Sequence, residues 1–220
     1  MVWYDGTTFT TDKKVGLGDF GPNYYAAQTF NNSPDGRTVI IGWMKKGNDI
    51  FLEGKMPFNS QMSFPTSMEL RTTSDGIRLY RWPVDEIENL YIKSHKFKNL
   101  TIKKAAKKLV KIKVELIDMS VEFEAGSSLK LTIRGQEVSY EPENEIFVFG
   151  KNKLAAPAIN GKVKLRVLLD RASIELFVNE GALVSTNYAV PEADNHSISV
   201  SADGEVKINS LIINELKSSW

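Results

Sequence analysis

Short apolar runs of strand length, set apart by turn residues, organise the first 83 positions. Tyr24–Phe30, Thr38–Trp43, Ser67–Thr72 and Ile77–Trp82 are rich in β-branched and aromatic residues. Asp-Gly pairs punctuate the chain at Asp5-Gly6, Asp35-Gly36, Asp75-Gly76 and Asp203-Gly204. Asp-Gly supplies the positive φ angles of a type I′ hairpin, so each pair predicts a turn and the runs predict an antiparallel meander. Around Pro83 the pattern changes. Val84, Ile87 and Leu90 recur at helical spacing, which predicts a short helical linker over residues 84–92. Beyond it, Ile112, Val114 and Leu116 alternate with charged neighbours, as do Val121 and Phe123; Val163, Leu165, Val167 and Leu169 alternate with Lys162, Lys164, Arg166 and Leu168, and Ile174, Leu176 and Val178 follow. Period-two patterning predicts half-buried antiparallel strands, and several in succession predict a β-sandwich over residues 93–220. Ile102–Val110 sets lysines opposite apolar residues over barely two turns, with no aromatic anchor. It reads as a solvated loop or short helix rather than a membrane-surface helix. No run is long enough for a helix that would cover a parallel sheet. The fold class is all-β.

Composition narrows the function classes. The chain has 220 residues, 28 basic against 27 acidic, and no cysteine. Such a length buries roughly 70% of the unfolded surface without a metal or disulfide staple. Absent cysteine excludes disulfide frameworks, thiolate zinc sites and cysteine nucleophiles. A net charge of +1 gives no ground to expect nucleic acid as a partner. No stretch approaches the ~18 consecutive apolar residues of a membrane span, and Met1–Asp5 lacks the pattern of a signal peptide.

The candidate chemistry is sparse. Gly16-Leu17-Gly18-Asp19-Phe20-Gly21 matches the dinucleotide fingerprint, but Pro22 and an aromatic strand pattern follow where a helix would have to begin. It reads as a glycine-rich loop, with no cofactor. His95 and His196 have no acidic or histidine neighbour at metal-ligand spacing, and no metal is expected. Asp170, Arg171 and Glu175 form the densest charged group. The pattern reads as a turn holding an Asp-Arg pair, with Glu175 on the solvent face of the next strand. The competing reading is a carboxylate pair for glycoside chemistry. Asp19, Tyr24, Tyr25, Gln28 and Trp43 cluster near strand ends, where they suit a sugar ring with apolar faces and a hydroxyl rim, or are core and edge residues. The pattern leaves both open.

Longer motifs carry a resemblance. Asp19-Phe20-Gly21-Pro22-Asn23-Tyr24-Tyr25-Ala26-Ala27-Gln28-Thr29-Phe30, then Ile40-Ile41-Gly42-Trp43-Met44, resembles the passage from fourth to fifth blade in glycoside hydrolase family 32, the invertases, inulinases and levanases. Met62-Ser63-Phe64-Pro65, Glu69-Leu70 and Pro83-Val84-Asp85-Glu86-Ile87 resemble the end of the same propeller, and Asp170–Gly181 is similar to the signature of the family's C-terminal sandwich. Pro57–Met62 and Gly161–Arg166 look most like the levanase-type members.

The resemblance implies the last blade and a half of a five-bladed β-propeller over residues 1–83, followed by the sandwich. Five blades of roughly 40–45 residues would need over ~200 residues before the linker. The family's nucleophile motif, its Arg-Asp-Pro and its Glu-Cys are not in this sequence, so no catalytic residue is expected here. By resemblance Tyr25 matches a tyrosine lining the fructose pocket, with Asp19 and Gln28 beside it and Trp43 on the platform. Many relatives carry a second tryptophan where this chain has Gly47. Asp170, Arg171 and Glu175 fall in a structural signature. The implied partners are a fructan or other fructose-containing glycan, and an N-terminal half or a second copy across the incomplete propeller. Full-length members imply a secreted or periplasmic setting.

Overall fold

The computed structural model describes residues 2–11, 17–45, 60–74 and 76–219. Gly16, Gly47, residues 57–59 and Asp75, all named above, lie outside these. Strands β1 (Val2–Tyr4) and β2 (Phe9–Thr11) form a two-stranded hairpin. Asp5 closes it by accepting hydrogen bonds from the Thr7 and Thr8 amides, with Gly6 at φ +97°.

The meander follows. It contains β3 (Tyr25–Thr29), β4 (Thr38–Met44), β5 (Gln61–Met62), β6 (Thr66–Thr73) and β7 (Gly76–Pro83). These pair antiparallel in the order β3-β4-β6-β7, with β5 also on β4. Asp35-Gly36 lies inside a longer loop between β3 and β4, which the Phe30 amide closes onto the Val39 carbonyl. A 3₁₀ helix at Asp85–Leu90 leads out of the sheet with Ile87 buried.

The sandwich begins at β8 (Tyr91–Thr101), two residues inside the stretch expected to be linker. Helix α1 (Ile102–Leu109) follows, capped where the Thr101 hydroxyl accepts from the Lys104 amide. Its apolar residues Ala105 and Leu109 are buried in the core, so it is a short helix seated on the sandwich. The remaining strands are β9 (Ile117–Glu124), β10 (Leu129–Ile133), β11 (Gln136–Glu141), β12 (Ile146–Phe149), β13 (Asn152–Ala155), β14 (Lys162–Leu169), β15 (Ser173–Val178), β16 (Leu183–Tyr188), β17 (Ile198–Ser201) and β18 (Lys207–Leu216). One sheet runs β13-β12-β11-β10-β17, the other β16-β15-β14-β9-β18-β8. Phe123, Tyr140 and Phe147 meet between them at centroid distances of 5.2–6.3 Å.

Two expectations need correction. Ile112, Val114 and Leu116 are buried as their alternation implied, but they form an extended connector joined to the sandwich by an isolated bridge, Lys113 to Ser197, rather than a strand. Asp203-Gly204 is not a hairpin turn, because β17 and β18 belong to different sheets and the chain crosses between layers there. A two-residue turn with positive φ at both positions sits instead at Arg134-Gly135 (φ 50° and 81°), between β10 and β11. Buried Arg134 is held there by the carbonyls of Glu115 and Asn195.

Candidate functional site

Tyr25 opens β3, the outer strand of the meander sheet, and stands directly across from Trp43 on β4. Residues paired in this way point to the same side of a sheet, so the two rings meet edge to face at 6.0 Å. Both are solvent-accessible, Tyr25 at 52% and Trp43 at 37%. The Lys45 ammonium lies 3.8 Å from the Tyr25 ring centre. A bulge separates Tyr25 from Gln28, with Ala26 at φ 44°. Gln28 pairs with Ile41, two residues before Trp43, so it stands exposed on the same side of the sheet as the aromatic pair. Tyr25, Trp43, Lys45 and Gln28 therefore make an open ledge of ring faces with polar groups at its margin.

The ledge is braced from behind. The Asn23 carboxamide donates to the Lys45 carbonyl at 2.8 Å and accepts from the Tyr188 amide at 2.9 Å. The Tyr188 hydroxyl donates to the Met44 carbonyl. Both flanks of the ledge are thus tied to β16. Residues 20–23 run along that edge strand, with the Phe20 amide on the Val184 carbonyl and the Asn23 amide on the Thr186 carbonyl. Gly21 is required at this approach, since a Cβ would lie 2.1 Å from the Thr186 carbonyl oxygen.

Asp19 is absent from the ledge. Its side chain is 3% exposed and sits in the seam between blade sheet and sandwich. It accepts from the Gly21 and Thr186 amides, the Thr186 hydroxyl at 2.8 Å and Arg81 at 3.2 Å. Burial raises its pKa, opposed by Arg81 and the Thr186 amide. Arg81 also donates to Thr66 and the Gly18 carbonyl and stacks 4.2 Å over the Tyr24 ring, so Tyr24 too belongs to the seam.

Glu175 corrects the reading of a solvent-facing carboxylate. It has no solvent exposure. It accepts from the Phe64 amide at 2.7 Å and lies 3.5 Å from the Thr186 hydroxyl. That hydroxyl has one proton, and Asp19 takes it at the shorter distance, so the Glu175 contact is satisfied when Glu175 is itself the donor. Burial pushes its pKa up to about 8. The Asp-Arg pairing is corrected as well. Asp170 accepts from the Arg171 amide, whereas the Arg171 guanidinium pairs with Glu115 at 2.9 Å. Glu175 closes the seam and Asp170 closes a turn, so their bonding makes no catalytic carboxylate pair.

Sequence reasoning missed Asn23, Arg81 and Thr186, which bond across the seam, because long-range partners leave no local signature. It also missed a cleft of about 390 Å³ where the blade sheet meets the sandwich, lined by Arg71, Tyr80, Glu122, Lys164 and Glu180. Its charges pair with one another: Arg71 with Glu180, Lys164 with Glu180 and Glu122. Among the described residues no group of three or more His, Cys, Asp or Glu could hold a metal.

Residues 86–215 match the C-terminal domain of glycosyl hydrolases family 32, and residues 1–83 match that family's N-terminal domain. The chain belongs to glycosyl hydrolase family 32. A levanase of Bacillus subtilis is 30% identical over an alignment of 252 positions, gaps included, that covers 99% of this chain and 37% of the levanase. An acid beta-fructofuranosidase of Vigna radiata is 32% identical over 59% of this chain and 21% of its own length. The crystal structure of an exo-inulinase from Aspergillus awamori superposes with a TM-score of 0.77 at 23% identity, covering 99% of this chain and 49% of that one. The family 32 fold is shared, and the chain spans half or less of each of these relatives.

Proposed function

We propose that this chain is the C-terminal part of a retaining β-fructan or sucrose hydrolase of the levanase or invertase type, contributing late propeller strands and the sandwich. The open Tyr25–Trp43 ledge, held from behind by Asn23 and β16, is the observation that supports this reading. Ring faces suit the apolar face of a fructosyl unit, while Lys45 and Gln28 offer donors to its hydroxyl rim. Retaining chemistry needs two accessible carboxyl groups about 5 Å apart, one attacking the anomeric carbon and one protonating the leaving oxygen before activating water. Asp19 and Glu175 are sealed in the seam and reach no substrate. The family's nucleophile, Arg-Asp-Pro and Glu-Cys motifs are missing from this sequence, so the nucleophile and the acid/base come from outside this chain, and the chain alone is inactive.

The test is reconstitution with the polypeptide encoded immediately upstream, co-expressed or fused. That segment is expected to carry the Asp-Pro, Arg-Asp-Pro and Glu-Cys motifs, and the assembly to release fructose from levan or sucrose. Tyr25→Ala in the assembly is expected to cut kcat/KM at least tenfold with the melting temperature unchanged. An upstream segment without those motifs, or full activity in the Tyr25 variant, would refute the reading.

A second reading is a non-catalytic carbohydrate-binding protein, favoured by a ledge that stands exposed without a catalytic residue. Calorimetric titration with levan and fructose oligomers separates the two, since only this reading requires heat of binding from the chain alone. The exposed side chains of Tyr4, Phe9, Trp43 and Met62, and separately the open edge of β3, also favour association, with an N-terminal half or a second copy as the cover. A clean monomer by light scattering at high concentration would exclude self-association.

A further inference from the structure

Residues 93–113 contain nine lysines and no acidic residue, although the whole chain carries a net charge of only +1. All nine are exposed. Among the described residues, Lys93 alone of them lies within ion-pair distance of a carboxylate, Glu215 at 3.6 Å. The fold gathers this charge at one place. Helix α1 packs on β8, β17 and β18, and β8 and β17 are the outer strands of their sheets, so the helix closes one open side of the sandwich. Lys103, Lys104, Lys107 and Lys108 face outward from it, and Lys96 and Lys98 continue the basic surface along β8.

These charges stand where they cost stability. Lys103 and Lys107, and Lys104 and Lys108, are like-charge pairs at i,i+4. Two lysines also occupy the first turn, which holds no acidic residue, against the helix dipole. The helix forms regardless, because Ala105 and Leu109 are buried and Thr101 caps it. Nothing in the folded chain uses the repulsion, and a bound anion would relieve it.

We propose that this lysine-studded edge binds inorganic polyphosphate, a flexible linear polyanion of repeated phosphate groups that carries neither bases nor acyl chains. Lysines are point charges on mobile stems and match phosphate without demanding one geometry. The helix has already buried its apolar face in the core, which leaves it no wedge for a bilayer. Phe97, the aromatic ring of this segment nearest the helix, is half-buried beneath Lys108, so bases find no stacking platform on it. A flexible chain can follow both the helix and the rounded edge of β8, where a flat surface meets only part of the charge.

The test uses the full chain with inorganic polyphosphate, by anisotropy of a labelled probe at 50, 100 and 200 mM NaCl. Binding is expected at 50 mM, with log K falling linearly against log salt by about 0.7 per phosphate neutralised. The variant Lys103→Gln/Lys104→Gln/Lys107→Gln/Lys108→Gln should lose at least tenfold in affinity and about 3 in slope. Its melting temperature should equal or exceed that of the parent. Lys96→Gln/Lys98→Gln, away from the helix, should lose a smaller share in the same direction. Lys151→Gln/Lys153→Gln, at β13 on the far end of the other sheet, should change affinity less than twofold. No binding at 50 mM, equal loss in the β13 variant, or unchanged binding in the helix variant would overturn the proposal. So would tighter binding to phosphatidylglycerol vesicles or to a single-stranded oligonucleotide at matched phosphate, which would assign the edge to a lipid surface or to nucleic acid.

Discussion

Glu175 shows how one side chain can report on a whole interface. Asp19, Arg81 and Thr186 lie around it, and the one guanidinium pairs with Asp19 and acts on Glu175 only through space. Its folded pKa of about 8 lies above the ordinary carboxylate value of 4.5, so the folded state holds an extra proton between those values. The stability this contributes is complete below about pH 4.5, falls by up to about 1.4 kcal/mol per pH unit above it, and is gone once pH has passed about 8. Burial shifts Asp19 in the same direction, opposed by Arg81. The melting temperature of the parent should therefore fall between about pH 5 and 8 and level off above, and Glu175→Gln should flatten much of that fall. Parallel curves would mean that Glu175 is ionised in the fold. One sign of its burial was legible in the sequence: Phe177 shares its face of β15 and is also fully buried. An apolar residue beside the charge marks a face covered by something. The cover itself, the Phe64 amide 111 positions upstream, could not be read from local pattern.

At the scale of elements, alternation located most strands but not their sheets. The inward residues of β9 and β14 were plain because they recur at every second position, although Leu168 on the other face of β14 is also buried, against Phe177 and Val184. Ile112–Leu116 carries the same signal yet forms only an isolated bridge, since period two reports burial and extension rather than partners. The positive-φ turn at Arg134-Gly135 lacked the expected Asp and so went unread. Helix α1 ranks two contributions. Leu109 has no solvent exposure, so Leu109→Ala should cost about 2–5 kcal/mol. Thr101→Ala, which removes a cap bond of 3.4 Å, should cost about 1 kcal/mol or less. Chemical denaturation of both variants checks the order, and a larger loss at Thr101 would show that the cap rather than the core holds the helix.

For the whole molecule, the seam decides whether the chain behaves as one body or two. Asp19, Asn23, Phe64 and Arg81, from the residues before the linker, engage Thr186, Tyr188 and Glu175 or one another in a buried network. Residues 20–23 also cover the edge of β16, which separation would expose. Calorimetry should accordingly record a single transition, and two resolved transitions would contradict a shared seam. Family motifs made this architecture legible, whereas the seam and the lysine-rich edge emerged only from long-range packing. The central proposal is that the exposed Tyr25–Trp43 ledge receives a sugar while the groups that break a glycosidic bond come from outside this chain. Reducing-sugar release from sucrose, inulin and levan, by the isolated chain cleared of host invertase, tests it most directly. The account predicts no release above a buffer blank, and sustained release in proportion to protein would contradict it.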